Sequence, residues 1–133
     1  MNRSEVLLPL QASKARSVLR ALRSSNHGIE GCALMTSDGR VASSVIGPET
    51  DPDRFGAMCA ALIALASRAV TEADRGQLRQ MILVGTTGPV LLTRAGEHGV
   101  LAVSAVHDCP LGRVIRDAST AAHELSKIPG IGS

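Results

Sequence analysis

The chain has 133 residues, enough for one domain with a substantial core, and its 44% hydrophobic and 20% charged residues describe a sequence that folds. A formal net charge of +2 is too small to point by itself to nucleic acid or a membrane surface. Phe55 is the sole aromatic residue, and base or sugar stacking needs aromatic platforms, so single-stranded nucleic acid and carbohydrate are disfavoured as ligands.

In chain order, VLLPL (6–10) is short and broken by proline, which argues against a secretory signal. Helical periodicity begins at Ser13, the expected N-cap, with Ala15, Val18, Leu19 and Leu22 at i, i+3, i+4 and i+7. The opposite face carries Lys14, Arg16, Arg20 and Arg23, a basic stripe read as solvated, with an acidic partner surface or nucleic acid as the alternatives. Asn26-His27-Gly28 is expected to stop this helix, with Gly28 in the left-handed conformation. GCALMTS and RVASSVI then flank Asp38-Gly39, a strong hairpin signal. In the first strand Cys32 and Leu34 alternate with Ala33 and Met35, apolar on both faces, which suits an interior position. Ser43 and Ser44 weaken the second, which suits an edge and ends at Gly47-Pro48.

Asp51-Pro52-Asp53 opens a second helix with a cap, a proline at the first position and an acid at the positive end of the dipole. It is expected to run to about Asp74. Phe55, Cys59, Leu62, Ile63, Ala66 and Val70 form one apolar stripe; Met58, Ala61, Leu65 and Ala69 form another beside it. A surface helix needs only one, so two predict cover on two sides. The longest apolar run, AMCAALIALA (57–66), is about half the length of a membrane span, and none is expected. RQMILVGT (79–86), PVLLTRA (89–95) and GVLAVSAV (99–106) follow as an antiparallel meander, joined by Thr87-Gly88 and Gly96-Glu97-His98-Gly99. The last helix starts near Pro110 or Leu111 and has Leu111, Val114, Ile115, Ala118, Ala121, Ala122, Leu125 and Ile128 at helical spacing on one face, before a frayed tail beyond Ile128-Pro129-Gly130. This order predicts an α+β fold, one domain over 1–133, with five strands sandwiched between helices. The 53–74 helix would cover one face and the terminal helices the other.

No stretch assembles a catalytic or metal site. His107-Asp108-Cys109 offers a thiol beside a histidine, but neighbours on extended backbone point apart. The simpler reading is a joint in which Asp108 or Cys109 caps the last helix, Pro110 enters its first turn and Leu111, Val114 and Ile115 anchor it. Cys32, Cys59 and Cys109, with His27, His98, His107 and His123, lack the paired spacing of zinc ligands. The odd cysteine count without a CxxC pair fits reduced thiols in the cytoplasm. GTTGP (85–89) runs into a strand and has no lysine, so it is a hairpin turn, not a nucleotide loop. No cofactor and no metal are expected.

The functional signal is surplus apolar surface, on the doubly striped helix and the 79–86 strand. Met58, Ala61, Leu65, Met81 and Leu83 are therefore expected at a homodimer interface, in which the strand pairs with its symmetry mate.

GIEGCALMTSDGRVASS, DRFGAMCAALIALASRAV, RQMILVGTTGPVLLTRAGEHGVLAVSAV and CPLGRVIRDASTAAHEL together resemble the roadblock family, over about residues 10 to 128. That family includes dynein light chains, lysosomal scaffold subunits and bacterial regulators of Ras-like GTPases. The resemblance implies a sheet of order 2-1-5-4-3, dimerisation through the third strand and the helix before it, and a small Ras-like GTPase as partner. Carried over by position, it implies a partner surface at Arg54, Ala57, Arg68 and Glu72. The alternatives are a scaffold without effect on nucleotide turnover, a thiol enzyme using Cys109 and, ranked last, nucleic-acid binding through the basic first helix.

Overall fold

The computed structural model describes residues 7–132; residues 1–6 (with Val6 of VLLPL) and 133 lie outside the description. Three helices, α1 (Pro9–Ser25), α2 (Pro52–Glu72) and α3 (Leu111–Ser126), accompany five strands: β1 (Ile29–Thr36), β2 (Val41–Val45), β3 (Gln80–Gly85), β4 (Gly88–Ala95) and β5 (Gly99–Ala105). The strands form one antiparallel sheet in the order β2-β1-β5-β4-β3. This is the expected α+β arrangement, with β1 interior and β2 and β3 at the edges.

Strand alternation divides the core in two. Cys32 and Leu34 of β1, Leu91 of β4 and Leu101 and Val103 of β5 face α1 and α3, where Leu19, Val114, Ala118 and Leu125 meet them. Ala33, Met35, Leu92, Val100 and Ala102 face the other way, toward Cys59 and Ile63 of α2, with Phe55, Ala66 and Val70 packed around them.

Four local expectations are corrected. α1 starts at Pro9, four residues before Ser13: proline is tolerated at a first helical position, and the Gln11 Oε1 accepts the Leu8 N–H at 3.2 Å. Gly28 does not take positive φ; α1 ends at Asn26 in extended conformation, and its Oδ1 accepts the Gly28 N–H at 2.9 Å. Gly28 instead allows close approach, since a Cβ there would sit 2.8 Å from the Cys109 Cβ. Neither Asp108 nor Cys109 caps α3; Pro110 holds that position without a side-chain hydrogen bond, and Leu111 is only half-buried while Val114 enters the core. The tail is not frayed: Ile131 is fully buried, and its carbonyl accepts the His98 N–H at 3.2 Å.

α2 begins as expected, with the Asp51 carboxylate accepting the Asp53 N–H at 3.0 Å. It ends at Glu72, because Asp74 turns to φ +58°. The ten-residue apolar run lies inside a 21-residue helix that reaches the length and composition of a membrane span, so the run alone understated it. In the fold that helix lies along the sheet. Its start is fixed by Gly56, whose Cα approaches Gly39 of the β1–β2 turn so closely that a Cβ would lie 2.4 Å from the Gly39 carbonyl oxygen. Farther along, Arg94 of β4 donates through Nη2 to the Ser67 hydroxyl and through Nε to the Leu78 carbonyl.

Candidate interaction surface

With Cys59 and Ile63 turned to the sheet, the helical period turns residues 54, 58, 61, 65, 68 and 72 outward. They follow at alternating steps of four and three, the spacing of a seam for another helix. Met58 is 57% exposed and Leu65 66%, and Ala61 and Ala69 beside them are exposed too. The second stripe is thus present as read, but none of the described residues covers it.

β3 is bare in the same way. Its ladder pairs Met81 with Leu92 and Leu83 with Val90, and the Arg94 N–H donates to the Arg79 carbonyl just before it. The antiparallel alternation then directs the backbone groups of Met81 and Leu83 inward to β4, and those of Gln80, Ile82 and Val84 to the open edge. Met81 packs partly into the α2-side core, with Leu83 on the same face. Ile82 and Val84 project on the α1/α3 side, Val84 82% exposed. An apolar strand edge of this kind favours pairing with another strand.

The structure brings together two sets of residues that the sequence treated as separate. Met58, Ala61 and Leu65, assigned to the dimer, and Arg54, Ala57, Arg68 and Glu72, assigned to a partner, all lie on the outward face of α2. The apolar residues occupy the middle of the stripe; Arg54 lies at one end, and Arg68 and Glu72 at the other. Met81 is set apart from the others, being half-buried.

The residues that suggested chemistry are not gathered. Among the described residues no group of three or more His, Cys, Asp or Glu side chains has the geometry to hold a metal ion. His107-Asp108-Cys109 is a tight turn in which the Cys109 N–H donates to the Val106 carbonyl at 3.1 Å. The Val106 N–H donates to the Gly28 carbonyl at 2.8 Å, which ties this turn to the end of α1. A cleft of about 710 Å³ between the β3–β4 side and α3 is lined by Gln80, Thr93, Arg94, Ile115, Ser119, His123 and Ser126, and the Ser126 hydroxyl donates to the His123 backbone carbonyl, not to its ring.

Burial pushes the Cys32 thiol up to about 11, with Arg23 opposing weakly, and burial alone raises Cys59 to about 11. At pH 8 a thiol reagent is expected to modify half-buried Cys109 first and to reach the other two only on unfolding, which stoichiometry with and without denaturant would check. An unfolded thiol ionises near 9.0, so between 9.0 and about 11 only the unfolded chain releases these protons. The two thiols therefore contribute a loss of stability as pH rises through that window, and Cys59→Ala should flatten the loss.

The Roadblock/LC7 domain family matches residues 17–105 of this chain. Three solved structures share its fold. An MglB with tetrameric arrangement aligns over 92% of both chains at 19% identity and TM-score 0.83. The gliding protein MglB from Thermus thermophilus aligns over 92% of this chain and 93% of its own, at 18% identity and TM-score 0.82. Myxococcus xanthus MglB aligns over 88% of both, at 20% identity and TM-score 0.82. Identities this low speak for the fold alone. Among curated proteins no sequence matches significantly.

Proposed function

The chain belongs to the Roadblock/LC7 domain family, and from that membership we propose that it is a cytoplasmic homodimer that binds and regulates a small Ras-like GTPase. One observation carries the reading: the uncovered apolar middle of α2 and the open β3 edge occur in the same chain. Two copies related by a two-fold axis would pair Gln80, Ile82 and Val84 across β3 and pack Met58, Ala61 and Leu65 beside the junction. The sheet would then continue through both protomers. Arg54 at one end of the stripe, and Arg68 and Glu72 at the other, are left at its rim with Ala57 for the GTPase. Rim charges of this kind steer encounter and select partners more than they add affinity.

A domain of this type would act on nucleotide turnover by holding groups of the GTPase in place. The scaffold reading uses the same surface without that effect. Copurification of the chain with a small GTPase encoded nearby, followed by single-turnover GTP hydrolysis, separates the two. Faster hydrolysis with the chain present is the expected result. Binding without acceleration would favour the scaffold. No binding in either the GTP or the GDP state would remove the GTPase from the reading. Arg68→Glu should weaken binding about three- to thirtyfold, mostly through slower association, while leaving self-association intact.

A further inference from the structure

We propose that the other edge of the sheet, β2 with the arginine face of α1, is a second docking surface, which takes an extended acidic segment of a partner protein as an added strand. It lies at the opposite end of the strand order from β3. It therefore does not depend on the dimer or on the GTPase.

Arg16, Arg20 and Arg23 follow at steps of four and three on α1, beside the core-facing Ala15, Leu19 and Leu22. All three are exposed, and none is ion-paired among the described residues, where the pairs are Arg40–Asp38 and His98–Glu97. With Ser24 they form one wall of a cleft of about 640 Å³; Ser44, Val45 and Ile46 form the other. β2 is hydrogen-bonded to β1 only, so its outer row of amide and carbonyl groups, at the sheet edge next to this cleft, has no strand partner among the described residues.

Two features are thus combined: a template for main-chain hydrogen bonds and a row of unneutralised guanidinium groups alongside it. Strand addition draws its affinity from the first and its selectivity from the side chains that meet the incoming strand. Arg16 and Arg23 are about 10 Å apart along the helix axis, the reach of about three extended residues, so one short segment would present acidic groups to all three arginines. Guanidinium groups suit carboxylates because their donors match both oxygens. A second copy of this chain is the wrong occupant, since two β2 edges would bring the two arginine rows together. Single-stranded nucleic acid is poorly suited as well, because no aromatic side chain lines the cleft for a base to stack on.

The probe is a labelled peptide of about ten residues alternating Glu and Thr, with a Gln-Thr peptide as control, titrated against the full chain by fluorescence anisotropy. The acidic peptide should bind and the control should not, and binding should weaken at least about tenfold between low and physiological salt. Arg16→Glu/Arg20→Glu/Arg23→Glu should weaken it by about a hundredfold with an unchanged circular dichroism spectrum. If that variant misfolds, Arg16→Gln/Arg20→Gln, which adds no like-charge cluster, should weaken it by about tenfold. Amide exchange over Val41–Val45 should slow when the peptide is bound. The proposal is overturned if the peptide fails to bind, if neither variant weakens it, or if it binds without protecting the β2 amides. It is equally overturned if the arginines instead carry binding to phosphatidylserine vesicles or duplex DNA while the peptide is ignored.

Discussion

Leu65→Asp and Leu83→Asp are each expected to turn a dimer into a monomer at micromolar concentration. A leucine packed in the middle of an interface contributes about 2 kcal/mol or more when removed, and an aspartate there adds the cost of a buried charge. Across a two-fold axis every substitution occurs twice, so the loss is about 4 kcal/mol, or roughly a thousandfold in the dissociation constant. Both positions are open to solvent in the single chain, Leu65 at 66% and Leu83 at 37%, so the fold itself should survive. Met81→Asp is a poorer probe, because Met81 packs against the α2-side core and its loss would confound folding with association. Light scattering or sedimentation over a concentration series reads the outcome. A wild-type chain that is already monomeric, or variants that associate as the wild type does, would sink the dimer.

Gly56→Ala and Gly112→Ala should have opposite signs, although both place alanine in a helix. Alanine in place of glycine favours a helix by up to about 1 kcal/mol. Near the start of α3 nothing lies within 4 Å of a Cβ built on Gly112, so Gly112→Ala should stabilise by about 0.5 kcal/mol. At Gly56 the same methyl group would press on the Gly39 carbonyl oxygen from 2.4 Å, and backbone yields less readily than a side chain. Overpacking of that kind costs about 1–3 kcal/mol and exceeds the gain in helix propensity. Gly56→Ala should therefore destabilise by about 1–2 kcal/mol net and loosen the start of α2 against the β1–β2 turn. Urea unfolding of the three proteins compares them directly, and a stabilised Gly56→Ala would show that the turn moves aside freely.

The sheet and its layers were legible because local signals agreed with the global arrangement. Asp38-Gly39 marked the hairpin, Asp51-Pro52-Asp53 the start of α2, and the alternation of Cys32 and Leu34 with Ala33 and Met35 showed a strand covered on both faces. What failed was what depends on distant neighbours. Ser13 looked like a cap because the apolar periodicity begins after it, yet the helix opens earlier at Pro9, a first-turn position that proline tolerates. Gly28 looked like a left-handed terminator, whereas its small size serves Cys109, remote in sequence. Ile131 looked like tail because no periodic pattern contains it; only the fold places it beside the β4–β5 turn. For the candidate surface, hydrophobicity located the α2 stripe. Helical spacing alone puts the interface and partner residues on one side of α2; what sequence did not show is that this side turns away from the sheet, because that depends on which stripe the sheet covers.

The pairing of β1 with β5 has a consequence for how the chain is made. Ile29 and Thr36 find their partners at Ala105 and Gly99, near the far end of the sequence. During synthesis β1 and β2 emerge early, and their hairpin waits, with the inner edge of β1 unpaired, until β5 has been translated. Contacts this distant in sequence slow folding and prolong the exposure of apolar strands. The ribosome, and whatever chaperone attends it, thus meets a half-built sheet whose future centre is still an edge, and the hazard ends only when β5 is inserted.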